Sequence, residues 1–138
     1  MKWLTSDIVL AMHEVLLNKW GGDEGGGHRG EGYEGVEAAV QAVKNSYYDS
    51  VAELGAAYAV YIVQGHVFQD GNKRTGAAAM LTFYVDNDLK YKLSDTGIRD
   101  AMIVLQTRAE SGERTDQLIH WLATTVVTGT VSKPKPKS

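Results

Sequence analysis

Apolar side chains recur along most of this chain at intervals of three and four, the period of a helix with one buried face. Thr5-Ser6-Asp7 supplies N-capping side chains, and Ile8, Met12, Val15 and Leu16 then line one face of a helix that runs to about Trp20. Tyr33, Val36, Val40 and Val43 predict a second amphipathic helix, interrupted by the polar and aromatic run Asn45-Ser46-Tyr47-Tyr48-Asp49-Ser50. From Ala52 to Val63 almost every position is apolar, which predicts a central helix buried on all sides, closed by Gly65. Gly76 to Val85 reads as a second buried helix whose small residues permit close packing, stopped by Asp86-Asn87-Asp88. Leu89 to Leu93 is a short extended link. A helix capped by Ser94 or Asp95 carries Ile98, Met102 and Leu105, and Ser111-Gly112-Glu113 turns into a last helix with Leu118, Ile119, Leu122 and Val126. The expected fold class is all-α: a compact single-domain bundle of about six helices, with space for a small flap hairpin near Tyr47–Val51.

Two segments interrupt this pattern. Residues 21–35 hold eight of the 15 glycines, interspersed with Asp23, Glu24, His28, Arg29, Glu31 and Glu34. They form a loop that reaches positive φ cheaply but lack the Gly-Lys-Ser/Thr ending of a Walker-type phosphate cradle. The only two prolines, Pro134 and Pro136, lie in the tail. The domain is therefore expected over residues 1–132, with 133–138 a disordered Lys-Pro tail.

Composition narrows the chemistry. With 138 residues, 43% apolar and 22% charged, the chain is long enough for one domain with its own core. Three of its 14 basic side chains fall in the last six residues, leaving a body in which 17 acids outnumber the bases. That balance argues against a broad nucleic-acid surface, which needs a basic face. The absence of cysteine excludes disulfides, thiolate zinc sites and cysteine nucleophiles. No apolar run approaches the ~20 residues of a bilayer span, and Asp7 comes too early for a secretory signal peptide. No membrane association, no direct nucleic-acid binding and a cytoplasmic location are expected.

Chemistry concentrates in His66-Val67-Phe68-Gln69-Asp70-Gly71-Asn72-Lys73-Arg74-Thr75-Gly76, between the two buried helices. Gly71 followed by Asn72, Lys73 and Arg74 opens directly into a helix. Such a junction aims free backbone N–H groups and the positive end of the helix dipole at one point, and two cations add formal charge. Asp70 suits magnesium bridging phosphates, His66 suits proton transfer near neutral pH, and Phe68 is placed to plug into the core. Base, metal ligand and phosphate clamp together are the parts of phosphoryl or nucleotidyl transfer. His13, His28 and His120 lack metal-ligand spacing and read as surface or packing residues. Trp3, Trp20 and Trp121 read as helix-face anchors, and Tyr58 and Tyr61 as packing.

The segment resembles the signature of the Fic/Doc family, His-x-Phe-x-(Asp/Glu)-(Gly/Ala)-Asn-(Gly/Lys)-Arg, at every constrained position: His66, Phe68, Asp70, Gly71, Asn72, Lys73 and Arg74. Arg29-Gly30-Glu31-Gly32 resembles the Arg-x-Glu-Gly-like stretch of the loop that follows the family's first helix. Lys73, where AMP-transferring members have Gly, and Ala77, where they have a second Arg, match the Doc (death-on-curing) branch of toxins from toxin–antitoxin pairs. The resemblance implies that ATP lies reversed, with its γ-phosphate toward the histidine, and that a threonine of elongation factor Tu is phosphorylated, arresting translation. It implies His66 as general base, Asp70 as the magnesium ligand, and Gly71, Asn72, Lys73 and Arg74 as phosphate ligands, with Tyr47–Val51 where the family has its target-aligning flap. The family's inhibitory Ser/Thr-x-x-x-Glu-(Gly/Asn) pattern is absent from the chain, so an antitoxin in trans is implied. Two alternatives stand: an AMP transferase acting on a protein hydroxyl, and a catalytically inactive adaptor that binds a protein partner.

Overall fold

The computed structural model describes residues 1–20 and 32–129. The glycine-rich stretch through Glu31 with His28 and Arg29, the side chain of Trp20, and the Lys-Pro tail lie outside the described residues. Six helices follow in order: α1 (Ser6–Trp20), α2 (Tyr33–Lys44), α3 (Val51–Gln64), α4 (Asn72–Asp86), α5 (Asp95–Glu110) and α6 (Thr115–Thr128). No strand occurs among the described residues. Only residues 45–50 separate α2 from α3, too few for two strands and a turn, so the flap hairpin is not formed: the segment is turn and bend, and Val51 already belongs to α3.

α3 is the axis of the bundle. Every residue from Leu54 to Val60 is buried, and the helix packs against α2, α4, α5 and α6 while α1 lies across α2 and α4. Its start is capped by Ser50: the hydroxyl accepts the Glu53 N–H at 3.2 Å and donates to the Glu53 carboxylate at 2.9 Å. α3 and α4 approach so closely that a Cβ on Gly55 would sit 2.1 Å from the Tyr84 ring, while the Tyr84 hydroxyl donates to the Ala52 carbonyl at 2.7 Å. The N-terminal strap is tied at two points, the Leu4 N–H donating to the Tyr58 hydroxyl at 3.1 Å and the Asn87 amide pairing with both backbone groups of Lys2 at 2.8 and 3.0 Å. Ser94, rather than Asp95, caps α5 through the Gly97 N–H at 3.1 Å.

The inward face of α1 is not the one its apolar spacing predicts. Ile8 and Val15 are 43% and 62% exposed, whereas Val9 and His13 are 0% and 2% exposed. The face turns because a histidine sits on the buried side, where an apolar count overlooks it. No helix among the described residues is long and apolar enough to cross a membrane.

Candidate active site

The chain leaves α3 through a sharp reversal. Gly65 caps the helix in a right-handed conformation, and the left-handed residue is the next one, His66, at φ 46°. A non-glycine residue there costs about 1–2 kcal/mol, and histidine is among the types that tolerate it best. The His66 side chain is exposed and lines a cleft of about 650 Å³ whose wall is the whole loop from His66 to Arg74. Opposite the loop stands Gln106 of α5, a residue the sequence pattern did not single out.

Phe68 does plug into the core, at 3% exposure. Asn72 fastens it: the Phe68 N–H donates to Asn72 Oδ1 at 2.9 Å and Asn72 Nδ2 donates to the Phe68 carbonyl at 2.7 Å. The Asn72 side chain thus shapes the loop, and what this residue presents at the head of α4 is its backbone N–H. The Phe68 ring lies flat on the imidazole of His13, with centroids 3.6 Å apart and planes 4° from parallel. His13 Nε2 is 2.8 Å from the Asp70 carbonyl oxygen, and the Gly71 N–H donates to Asp70 Oδ1 at 2.8 Å. Gly71 then caps α4 at φ 86°, a left-handed value that spares the chain a Cβ penalty at this turn.

The first turn of α4 breaks a local rule. Helix N-termini favour acidic residues, each worth about 0.3–1 kcal/mol, yet this turn has none and carries Lys73 and Arg74 instead. Cations placed at the positive end of a helix dipole lower its stability unless an anion joins them, and such departures mark functional sites. Both side chains also line a second cavity, of about 700 Å³, between α4 and α5, together with Ala77, Met102 and Arg99.

Near the C-terminal end of α3, Tyr47, 81% exposed, packs against Tyr48 with ring centroids 4.6 Å apart and planes tilted by 33°, beside Tyr61 and residues Glu113 to Asp116. Burial pushes the phenols of Tyr48 and Tyr61 above the usual tyrosine range, so neither supplies a base at neutral pH. Among the described residues, the one imidazole lining the cleft is that of His66.

The model of the Fic/DOC family matches residues 3–84, from the N-terminal strap to the end of α4. The chain belongs to the Fic/DOC family. It is similar to the protein described as protein kinase doc of Escherichia phage P1, with 30% identity over 91 residues, covering 65% of this chain and 71% of that protein. That likeness puts it with the Doc branch. The family match ends before α5, so Gln106 and Arg99, which face the two cavities from that helix, belong to the part of the site that a family signature does not reach.

Proposed function

We propose that this Fic/Doc protein is a toxin of a toxin–antitoxin pair. It transfers the γ-phosphate of ATP to a threonine or serine hydroxyl of a translation factor, elongation factor Tu being the expected target, and so arrests translation. The observation that carries the reading is the placement of Lys73 in an acid-free first turn of α4, lining the same cleft as His66. A glycine there would leave the N–H groups bare for an α-phosphate. A lysine stem fills that space and offers a point charge to a terminal phosphate. The naming of the phage relative as a protein kinase supports the same choice.

Magnesium fits the site in one form only. No group of three or more His, Cys, Asp or Glu that could cage an ion occurs among the described residues, but Asp70 is exposed on the cleft wall. Magnesium is commonly bound by one or two carboxylates with the remaining positions taken by water and phosphate oxygens. Asp70 would hold it, and when bound it supplies neutralisation of the phosphate charge. The backbone N–H groups at the head of α4, with Lys73 and Arg74, orient the terminal phosphate. His66 takes the proton of the acceptor hydroxyl, the hydroxyl oxygen bonds to the γ-phosphorus in line, and the bond to the β–γ bridging oxygen breaks as ADP leaves. Inhibition comes from an antitoxin in trans, and the setting is the cytoplasm, with no membrane or nucleic-acid partner.

One observation favours a second reading, AMP transfer: Arg99 lines the cavity beside Ala77, where a cation from α5 can stand in for the arginine missing from α4. Parallel labelling of elongation factor Tu with ATP traced on the α- or the γ-phosphate separates the two. Label from the γ-position alone is expected. Label entering from the α-position overturns the kinase reading in favour of the transferase.

A further inference from the structure

We infer that His13 is a positioning residue of the catalytic loop: it fixes the tilt of the Asp70–Gly71 peptide and, through that peptide, the place of the Asp70 carboxylate. The functional consequence rests on the phosphotransfer reading above, while the geometry is independent of it.

A carbonyl oxygen only accepts, so the contact between His13 Nε2 and the Asp70 oxygen requires the proton to be on Nε2. This bond points the Asp70 C=O inward, toward α1. The peptide is trans, as are all those described, and in a trans peptide the C=O and N–H point in opposite directions. The Gly71 N–H must therefore point away from His13, and there it meets Asp70 Oδ1 at 2.8 Å. The carboxylate of the proposed metal ligand is thus held by the far end of the peptide whose near end His13 holds. The imidazole lies beside the Gly71 backbone, close enough that a Cβ there would touch its Cδ2 and Nε2 at 3.4 Å, and its face is covered by Phe68.

Packing alone does not account for this residue. At 2% exposure the ring gives up its water, and burying an unpaired polar group is costly, so a leucine would serve a purely apolar contact better. A histidine is required where one flat side chain must both stack on Phe68 and donate to a carbonyl beside it. Residues that orient metal ligands from behind are commonly worth about 10–100-fold in metal affinity or activity.

The two contacts can be removed separately. His13→Phe keeps the stack and loses the donor; His13→Gln keeps a donor at similar reach and loses the stack. ATP binding to the full chain is measured calorimetrically with magnesium and again in excess chelator. The Gly71 amide resonance and the nitrogen shifts of His13 are followed by NMR. The magnesium-dependent gain in ATP affinity is expected to fall about 10–100-fold in His13→Phe, with affinity in chelator unchanged and most of the gain retained in His13→Gln. Equal loss in both variants, tracking their melting temperatures, overturns the inference in favour of simple packing, as does an unaltered gain in His13→Phe. If wild-type protein binds ATP no better with magnesium, the phosphotransfer reading fails. The Gly71 amide then decides: displaced in His13→Phe but not in His13→Gln supports the inference, unmoved in both overturns it. Should His13→Phe fail to fold, the wild-type spectrum decides: a proton on Nδ1 instead of Nε2 overturns the inference, and a coupling across the hydrogen bond from Nε2 to the Asp70 carbonyl upholds it.

Discussion

His66 combines a strained backbone with an exposed imidazole, and the strain is separable from the chemistry. Its φ of 46° lies where a Cβ is disfavoured, so replacing it with glycine relieves about 1–2 kcal/mol. The same substitution loosens the unfolded chain by roughly 0.5–1 kcal/mol. The second offsets about half of the first. His66→Gly is therefore expected to unfold within ~1 kcal/mol of wild type while losing ~10²–10⁴ in transfer rate, the usual loss for a general base. Denaturant unfolding and a single-turnover transfer assay check the pair of outcomes. A stable variant that retains full transfer would remove His66 from the mechanism. Neighbouring residues divide the labour differently. Asn72 spends its side-chain amide on Phe68, and Asp70 spends one carboxylate oxygen on Gly71, so the loop's shape is set by residues that its motif also offers to ligands.

Between elements, the decisive contact is α3 against α4, because these helices deliver the loop at their junction. Gly55 permits it. Alanine there gains about 1 kcal/mol in helix propensity, but its Cβ would fall 2.1 Å from a Tyr84 ring that is fully buried and tethered to Ala52 by its hydroxyl. Overpacking of this kind costs about 1–3 kcal/mol, and a tethered ring cannot swing aside, so the upper end applies. Gly55→Ala should lower the denaturation midpoint and weaken activity with it, since the distance between the helices sets the span of the loop. A variant as stable as wild type would show that the helices can part without cost.

The whole molecule is a scaffold that holds one loop against one helix end, with α5 closing the far side of the cleft. Its net charge of −3 leaves the cations at the head of α4 as the local attraction for a nucleotide phosphate. Binding of ATP with magnesium to the native state alone should stabilise the fold by about 2.7 kcal/mol at 100 times its Kd, a rise in Tm of roughly 5–15 °C. Excess chelator should remove most of that rise in wild-type protein, and Asp70→Asn should show the smaller rise with or without magnesium. An equal rise in chelator for the wild-type chain would count against Asp70 as a metal ligand.

Much of this was determined by the order of residues alone. Apolar spacing marked all six helices, the uniformly apolar run from Ala52 to Val63 marked the axis, and the string from His66 to Arg74 marked the loop that walls the cleft, because helix period and motif are local properties of a chain. Tertiary structure decided what depends on residues distant in sequence. It turned the inward face of α1 from Ile8 and Val15 to Val9 and His13, since a buried histidine is worth its desolvation only when a particular carbonyl is waiting for it. It left Gly65, the residue that closes α3, right-handed and put the left-handed turn at His66, because the chain's exit from α3 is set by where α4 must begin. It also brought Gln106 to the cleft and Arg99 to the cavity beside Ala77: both lie on the exposed or half-exposed side of an amphipathic helix, where periodicity sees only solvent and only packing reveals a neighbour.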